Sequence, residues 1–194
     1  MLHSSVLGRL ALGPYTQDAG MPYNQTMPHD TAGLIRYLQD AHAMEVGALE
    51  ALDAFNAGYA TFEASAAVQN YRSVCENQVR SMSILLESLG AKTNPTKNFV
   101  NALFGKAADW MGATHDQEDR ATLMLVRYYG TAQTKGAMYD AIAAYADTMG
   151  DVEIVRLSKE HREQEFAAAE VLFPFIWESA AYVELDKKAP DFAI

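Results

Sequence analysis

Residues 118–149, EDRATLMLVRYYGTAQTKGAMYDAIAAYADTM, decide the fold class. Met124, Tyr128, Thr131, Lys135, Met138, Ile142, Tyr145 and Met149 recur at alternating steps of four and three, which puts them on one side of a helix in a near-heptad stripe. Gly150 supplies the stop. A long helix with one apolar stripe is held by packing against other helices rather than by its own propensity, so the neighbouring sequence must provide those helices.

It does so on both sides. Downstream, Asp151 opens a helix carrying Ile154, Leu157, His161, Glu165, Ala168 and Leu172, which Pro174 is expected to kink or break because proline removes a helical hydrogen bond. Upstream, Asp30 is a candidate N-cap for a helix with Leu34, Leu38, Ala41, Glu45, Leu49 and Leu52 on one side, ending near Asn56–Gly58. A further helix is expected from about Glu63 to Leu89, with Val68, Cys75, Val79, Met82, Leu86 and Leu89 in line and Gly90 as its stop. Asn94-Pro95-Thr96 makes a turn, and 96–111 form a shorter amphipathic piece, an extra helix in the connection between the second and third long helices. The expectation is an all-α four-helix bundle over 30–184, preceded by an extended arm over 1–29 and followed by a loose tail over 185–194.

Composition narrows the function. The chain has 194 residues and a formal charge of −10, with 15 Lys and Arg set against 25 Asp and Glu. No basic cluster interrupts this acidity, so nucleic acid is not an expected partner. No stretch approaches the roughly 20 apolar residues of a membrane span, and no secretory leader is evident at the start. Cys75 is the lone cysteine; it cannot form an internal disulfide or a thiolate zinc site, and it reads as a small core residue in a reducing compartment. The expected location is the cytoplasm. Gly-rich phosphate loops, CxxC pairs and a supported Ser-His-Asp order are absent from the sequence.

The informative feature is where the apolar stripes break. Glu45 interrupts the first helix near its midpoint, Lys135 the third, and His161 with Glu165 the fourth, while Glu76 borders the stripe of the second. Midpoints of similar helices in a bundle lie at one level, so these groups can meet in one interior layer. A charged group at a stripe edge commonly reaches water instead, and that reading applies most to Glu76. A lone helical histidine is more often a hydrogen-bonded core residue than a ligand, and Gln164 competes with Glu165 for the inward position. Charges that are buried require a partner or a metal.

Three stretches carry a resemblance. Tyr37-Leu-Gln-Asp-Ala-His-Ala-Met-Glu45, then Glu76-Asn-Gln-Val-Arg80 with Leu86-Glu-Ser-Leu-Gly90, then Tyr139 to Asp151 resemble the YciE/YciF-type, bacterial stress-associated branch of the ferritin-like superfamily, over about residues 31 to 172. The resemblance implies a di-iron or di-manganese carboxylate centre. Glu45 and Glu76 match the carboxylates of its first and second helices, and Glu165 matches an acidic position of its fourth. Other positions depart from the pattern: the family's second-helix histidine falls on Ser73, and its two third-helix acids fall on Ala132 and Lys135.

Two readings of the centre follow. In the first, Lys135 replaces the metal and forms an internal ion pair or triad with Glu45 and Glu165, and the protein is a non-catalytic or weakly metal-binding bundle. In the second, iron or manganese sits on Glu45, Glu76, His161 and Glu165 with Lys135 directed away, and the protein is a metal-dependent oxidase or handles iron. His42, three residues before Glu45, would orient that carboxylate from behind. A homo-oligomer is expected in both, and a third reading makes the N-terminal arm an interaction surface; the substrate is not readable.

Overall fold

The computed structural model describes residues 31–55, 60–93 and 119–188. The arm over 1–29, the candidate cap Asp30 and the short helix expected over 96–111 lie outside the described residues. Four helices make up the rest: α1 (Thr31–Asp53), α2 (Phe62–Ser88), α3 (Asp119–Thr148) and α4 (Val152–Lys188). The observed boundaries fall within a few residues of those expected because the stops are local. Gly90 and Gly150 take positive φ, 68° and 72°, which closes α2 and α3 without the steric cost a side chain would bring. The Asp151 carboxylate accepts from the Ile154 amide at 3.0 Å and caps α4, and the Thr61 hydroxyl does the same for α2 through Ala64.

Two apolar clusters fix the topology. One joins Ala48 and Leu52 of α1 to Val68 of α2, Leu125 of α3 and Leu172 of α4. The other joins Leu34 and Leu38 to Leu86, Ile142 and Ile154. The end of α1 therefore lies level with the starts of α2 and α3 and with the later part of α4, so α1 and α4 run one way and α2 and α3 the other. α1 packs beside α2 and α3, and α4 beside the same two, which leaves α2 and α3 parallel and diagonal. Since α2 finishes at one end of the bundle and α3 begins at the other, their connection has to cross its whole length. The all-α four-helix bundle read from the sequence is the architecture found.

Three details differ from expectation. In α3 the buried line runs through Leu125, Tyr128, Ala132, Lys135, Tyr139, Ile142 and Ala146, whereas Met124, Met138, Tyr145 and Met149 are only partly buried at its edges. The two lines share Tyr128, Lys135 and Ile142, and the flanking methionines widen the apolar stripe enough to shift its apparent centre. In α4, Ser158 and Ala169 are buried in place of Leu157 and Ala168. The helix also passes through Pro174 and beyond residue 184 to Lys188. Pro174 and Glu170, whose carbonyl loses its helical donor, are both exposed, so water can satisfy that carbonyl.

Replacing the exposed Pro174 with alanine restores a helical donor in the middle of α4. Pro174→Ala should raise unfolding stability by about 2 kcal/mol in urea titration, the helical penalty of proline less its entropic advantage in the unfolded chain.

Candidate buried charged centre

Every helix sends side chains to one level between the two clusters. α1 brings Glu45; α2 brings Tyr71 and Cys75, one turn apart; α3 brings Lys135 and Tyr139; and α4 brings His161 and Glu165. All seven are buried, with Glu45, Cys75 and Glu165 fully so. The Lys135 ammonium lies 2.6 Å from Glu45 Oε2 and 2.9 Å from Glu165 Oε1. The other oxygen of each carboxylate accepts from a phenol: Tyr139 donates to Glu45 Oε1 and Tyr71 to Glu165 Oε2, each at 2.8 Å. Lys135 Nζ also donates to Cys75 Sγ at 3.2 Å and lies 3.4 Å from the Tyr71 hydroxyl. Each carboxylate thus has an ammonium on one oxygen and a hydroxyl on the other, the charge-assisted pattern that buried ions require.

The layer carries two carboxylates and one ammonium. Burial opposes the charge on Lys135, but Glu45, Tyr71 and Glu165 outweigh it and hold the ammonium well above its ordinary value. Burial raises the Glu45 carboxyl to about 7, against the pull of Lys135 and with the repulsion of Glu165. Burial likewise lifts the Cys75 thiol to about 12 and both tyrosines well above 10.0, so these three are neutral hydrogen-bonding groups. His161 is driven down to about 4 by burial and by Lys135 and is uncharged at neutral pH; its ring meets that of Tyr139 edge-on at 4.9 Å.

A metal does not fit these residues as they stand. Ligand atoms of Glu45, Cys75 and Glu165 lie within 4.8 Å of one another, close enough to share an ion. The Lys135 ammonium contacts Glu45 Oε2, Glu165 Oε1 and Cys75 Sγ from among them, so the cation position is filled by the chain itself. A divalent ion there would meet a fixed positive charge at contact distance.

Of the residues singled out from sequence, Glu45, Lys135 and Glu165 converge, and His161 borders them. Glu76 does not: it pairs with Arg72, one turn away on α2, which also holds Asp53 at 2.6 Å. A partly exposed arginine four residues back stabilises Glu76 at the stripe edge, where it keeps its water. His42 turns from Glu45 to α2, with Nε2 3.0 Å from the Ser83 hydroxyl, which itself lies 2.8 Å from the Val79 carbonyl. Gln164 is only partly buried and accepts from Gln78 at 3.1 Å, so the inward position belongs to Glu165. Tyr71, Tyr139 and Cys75 were missed as site residues. Tyr139 lies one turn from Lys135 on the same helix, but its ring fits an apolar stripe, so the sequence carries no mark of its polar role.

The family described as "Domain of unknown function (DUF892)" matches residues 31–180. Among solved structures, YcfI from Rhodopseudomonas palustris, for which a structural role is suggested, is similar with a TM-score of 0.63 and 20% identity, over 72% of this chain and 89% of that one. At that identity the likeness concerns the fold. No curated protein matches the chain.

The two perturbed groups push stability in opposite directions with pH. His161 binds its proton less readily folded (about 4) than unfolded (6.5), so it favours the fold increasingly as pH rises through that window. Glu45 binds its proton more readily folded (about 7) than unfolded (4.5), so its contribution is present at low pH and fades as pH rises from 4.5 to 7. The stability difference between the wild type and His161→Gln should therefore move in favour of the wild type from pH 4 to 6.5, and that between the wild type and Glu45→Gln should move against it, in melting curves recorded across the range.

Proposed function

We propose that this chain, which belongs to the DUF892 family, is a non-catalytic ferritin-like bundle in which an internal lysine stands in for a metal centre. The observation that carries the reading is the Lys135 ammonium, 2.6 Å from Glu45 and 2.9 Å from Glu165 and fully enclosed by the four helices. The single crossing connection between α2 and α3 supports the ferritin-like assignment, since folds of that group have one such connection.

The protein then acts through its surface. YcfI, with its suggested structural role, points the same way. The role is stress-associated, as the sequence resemblance implies, and a homo-oligomer fits the exposed aromatic side chains Phe62, Phe173 and Trp177, which association would remove from water. A cytoplasmic location fits the lone, reduced Cys75.

Metal content after anaerobic reconstitution with iron and manganese, followed by desalting, tests the reading. The wild type should retain no stoichiometric metal. Retention of one or two ions per chain, lost in Glu45→Ala, would show instead that Lys135 yields to a cation and would make oxidase chemistry the better reading. Independently, Lys135→Ala leaves two buried carboxylates without a counter-charge and should destabilise the fold by about 3–5 kcal/mol; an unchanged melting curve would contradict the buried triad.

A further inference from the structure

The outer side of the α3–α4 hairpin carries two lines of residues with the same spacing. On α3, Val126, Gly130, Gln133 and Ala137 follow one another at steps of four, three and four; on α4, Phe166, Glu170, Phe173 and Trp177 do the same. That spacing keeps each set on one side of its helix. Neither side is the core one, since all eight residues are exposed except Gln133, which is half-buried.

The register of the hairpin sets the two lines level. Thr122 donates to Ser179 at 2.9 Å, the rings of Tyr129 and Phe173 meet at 5.4 Å, and Arg162 holds Asp140 at 2.7 Å. In an antiparallel pair fixed this way, Val126 is level with Trp177, Gly130 with Phe173, Gln133 with Glu170 and Ala137 with Phe166, each within about one residue's rise of ~1.5 Å. The α4 line is therefore large where the α3 line is small. Trp177 is 76% exposed and Phe173 60%, whereas Gly130 has open space where a side chain would be. Two of the rings are also held, Phe173 against Tyr129 and Phe166 over Gly136 of the same hairpin, so little freedom is left to lose on contact.

A second copy of the chain answers both lines at once. Turned about a twofold axis parallel to the helices, the partner's α3 lies over α4, antiparallel to it and at the level it has in its own chain, and the partner's α4 lies over α3 in the same way. Trp177 then meets the partner's Val126, Phe173 the partner's Gly130 and Phe166 the partner's Ala137, with every contact made twice. Glu170, the single charge among the eight positions, falls opposite the partner's Gln133, whose amide is a hydrogen-bond donor. An unrelated protein would have to supply small residues at three matching levels and a donor at the fourth; this chain already carries them.

The size of the face suits that partner. At their exposures the three rings offer roughly 400 Å² of apolar surface per chain, about half of the ~800 Å² per partner in a standard interface and close to its apolar share. A net charge of −10 per chain opposes self-association in general, and a face with one charge among its eight positions is where two copies meet with least repulsion.

We propose that the chain forms a twofold dimer through the outer faces of α3 and α4, with Phe166, Phe173 and Trp177 of each copy seated on the partner's Ala137, Gly130 and Val126. The small residues on α3 allow the partner's α4 to approach closely. The proposal deepens the homo-oligomer reading above, on which it rests, by giving it an interface, and it is independent of what occupies the buried centre.

Sedimentation of the full chain is the first test. The wild type should run as a dimer of 21.3 kDa chains; a monomer at every concentration would overturn the proposal together with the homo-oligomer reading and leave the face to the chain's own arm or to another protein. Gly130→Glu sets a carboxylate where the partner's Phe173 belongs but meets open space within its own chain. It should weaken the dimer about a hundredfold or more with helical circular dichroism unchanged; an assembly as tight as the wild type would overturn this interface and leave oligomerisation itself standing. Gln133→Cys and Glu170→Cys chains, co-expressed and mildly oxidised, test the register by peptide mass. A disulfide should join the one variant to the other and neither to itself; self-linked Glu170→Cys, the mark of α4 packed on α4, or no link at all would overturn the arrangement.

Discussion

A buried ammonium is the constraint to which the rest of this fold answers. Lys135 sits in the interior, 1% exposed and sheltered from bulk solvent, and its charge is tolerable only where carboxylates are already waiting. Neither of those carboxylates is on its own helix: Glu45 comes from α1 and Glu165 from α4. Each oxygen not facing the ammonium requires its own donor, which places a tyrosine on α2 and another on α3. The interaction thus dictates one residue type on each of four helices at one level, and the apolar clusters above and below it hold that level in place. Such an arrangement need not add to stability, because desolvation offsets much of the Coulombic gain. It does make the geometry intolerant of partial loss.

The same layer engages the two carboxylates that a carboxylate bundle would offer to a metal. Carboxylates that are free to bind a cation are useful catalytic ligands, but these two are engaged by a cation carried on the chain. Burial keeps the Cys75 thiol and both phenols protonated; the phenols donate to the carboxylates and the thiol accepts from Lys135. His161 is left neutral beside an edge-on tyrosine ring.

Much of this was legible in the sequence because its signals are local. Helix stops at Gly90 and Gly150, the Asp151 cap and the period of the apolar residues involve only neighbours along the chain. The inward positions of Glu45, Lys135 and Glu165 were legible because each interrupts an otherwise apolar line. Glu76 stayed open to two readings since a stripe-edge residue is decided by its surroundings, here Arg72 one turn back. Tyr71 and Tyr139 escaped notice because an aromatic ring satisfies the apolar pattern while its hydroxyl does the polar work. The phase of α3 was blurred by methionines on both flanks of the true line, and the tolerance of Pro174 depended on which side of α4 faces water. None of these last three can be judged without knowing the neighbouring helices.

The bundle is also two hairpins. α3 and α4 are joined by the short turn at Gly150, and α1 and α2 by the few residues between Asp53 and Phe62, whereas thirty residues separate the two pairs. The charged layer is divided between them unequally: the second hairpin carries Lys135 and Glu165 together, and the first brings Glu45 alone. Apolar ridges by themselves permit two hairpins to slide by a turn and repack at little cost. Here a slip by one turn would bury Glu45 against hydrocarbon and leave Lys135 with half its counter-charge. The layer therefore works as a key between the two halves, rejecting mismatched alignments that the surrounding leucines and alanines would accept.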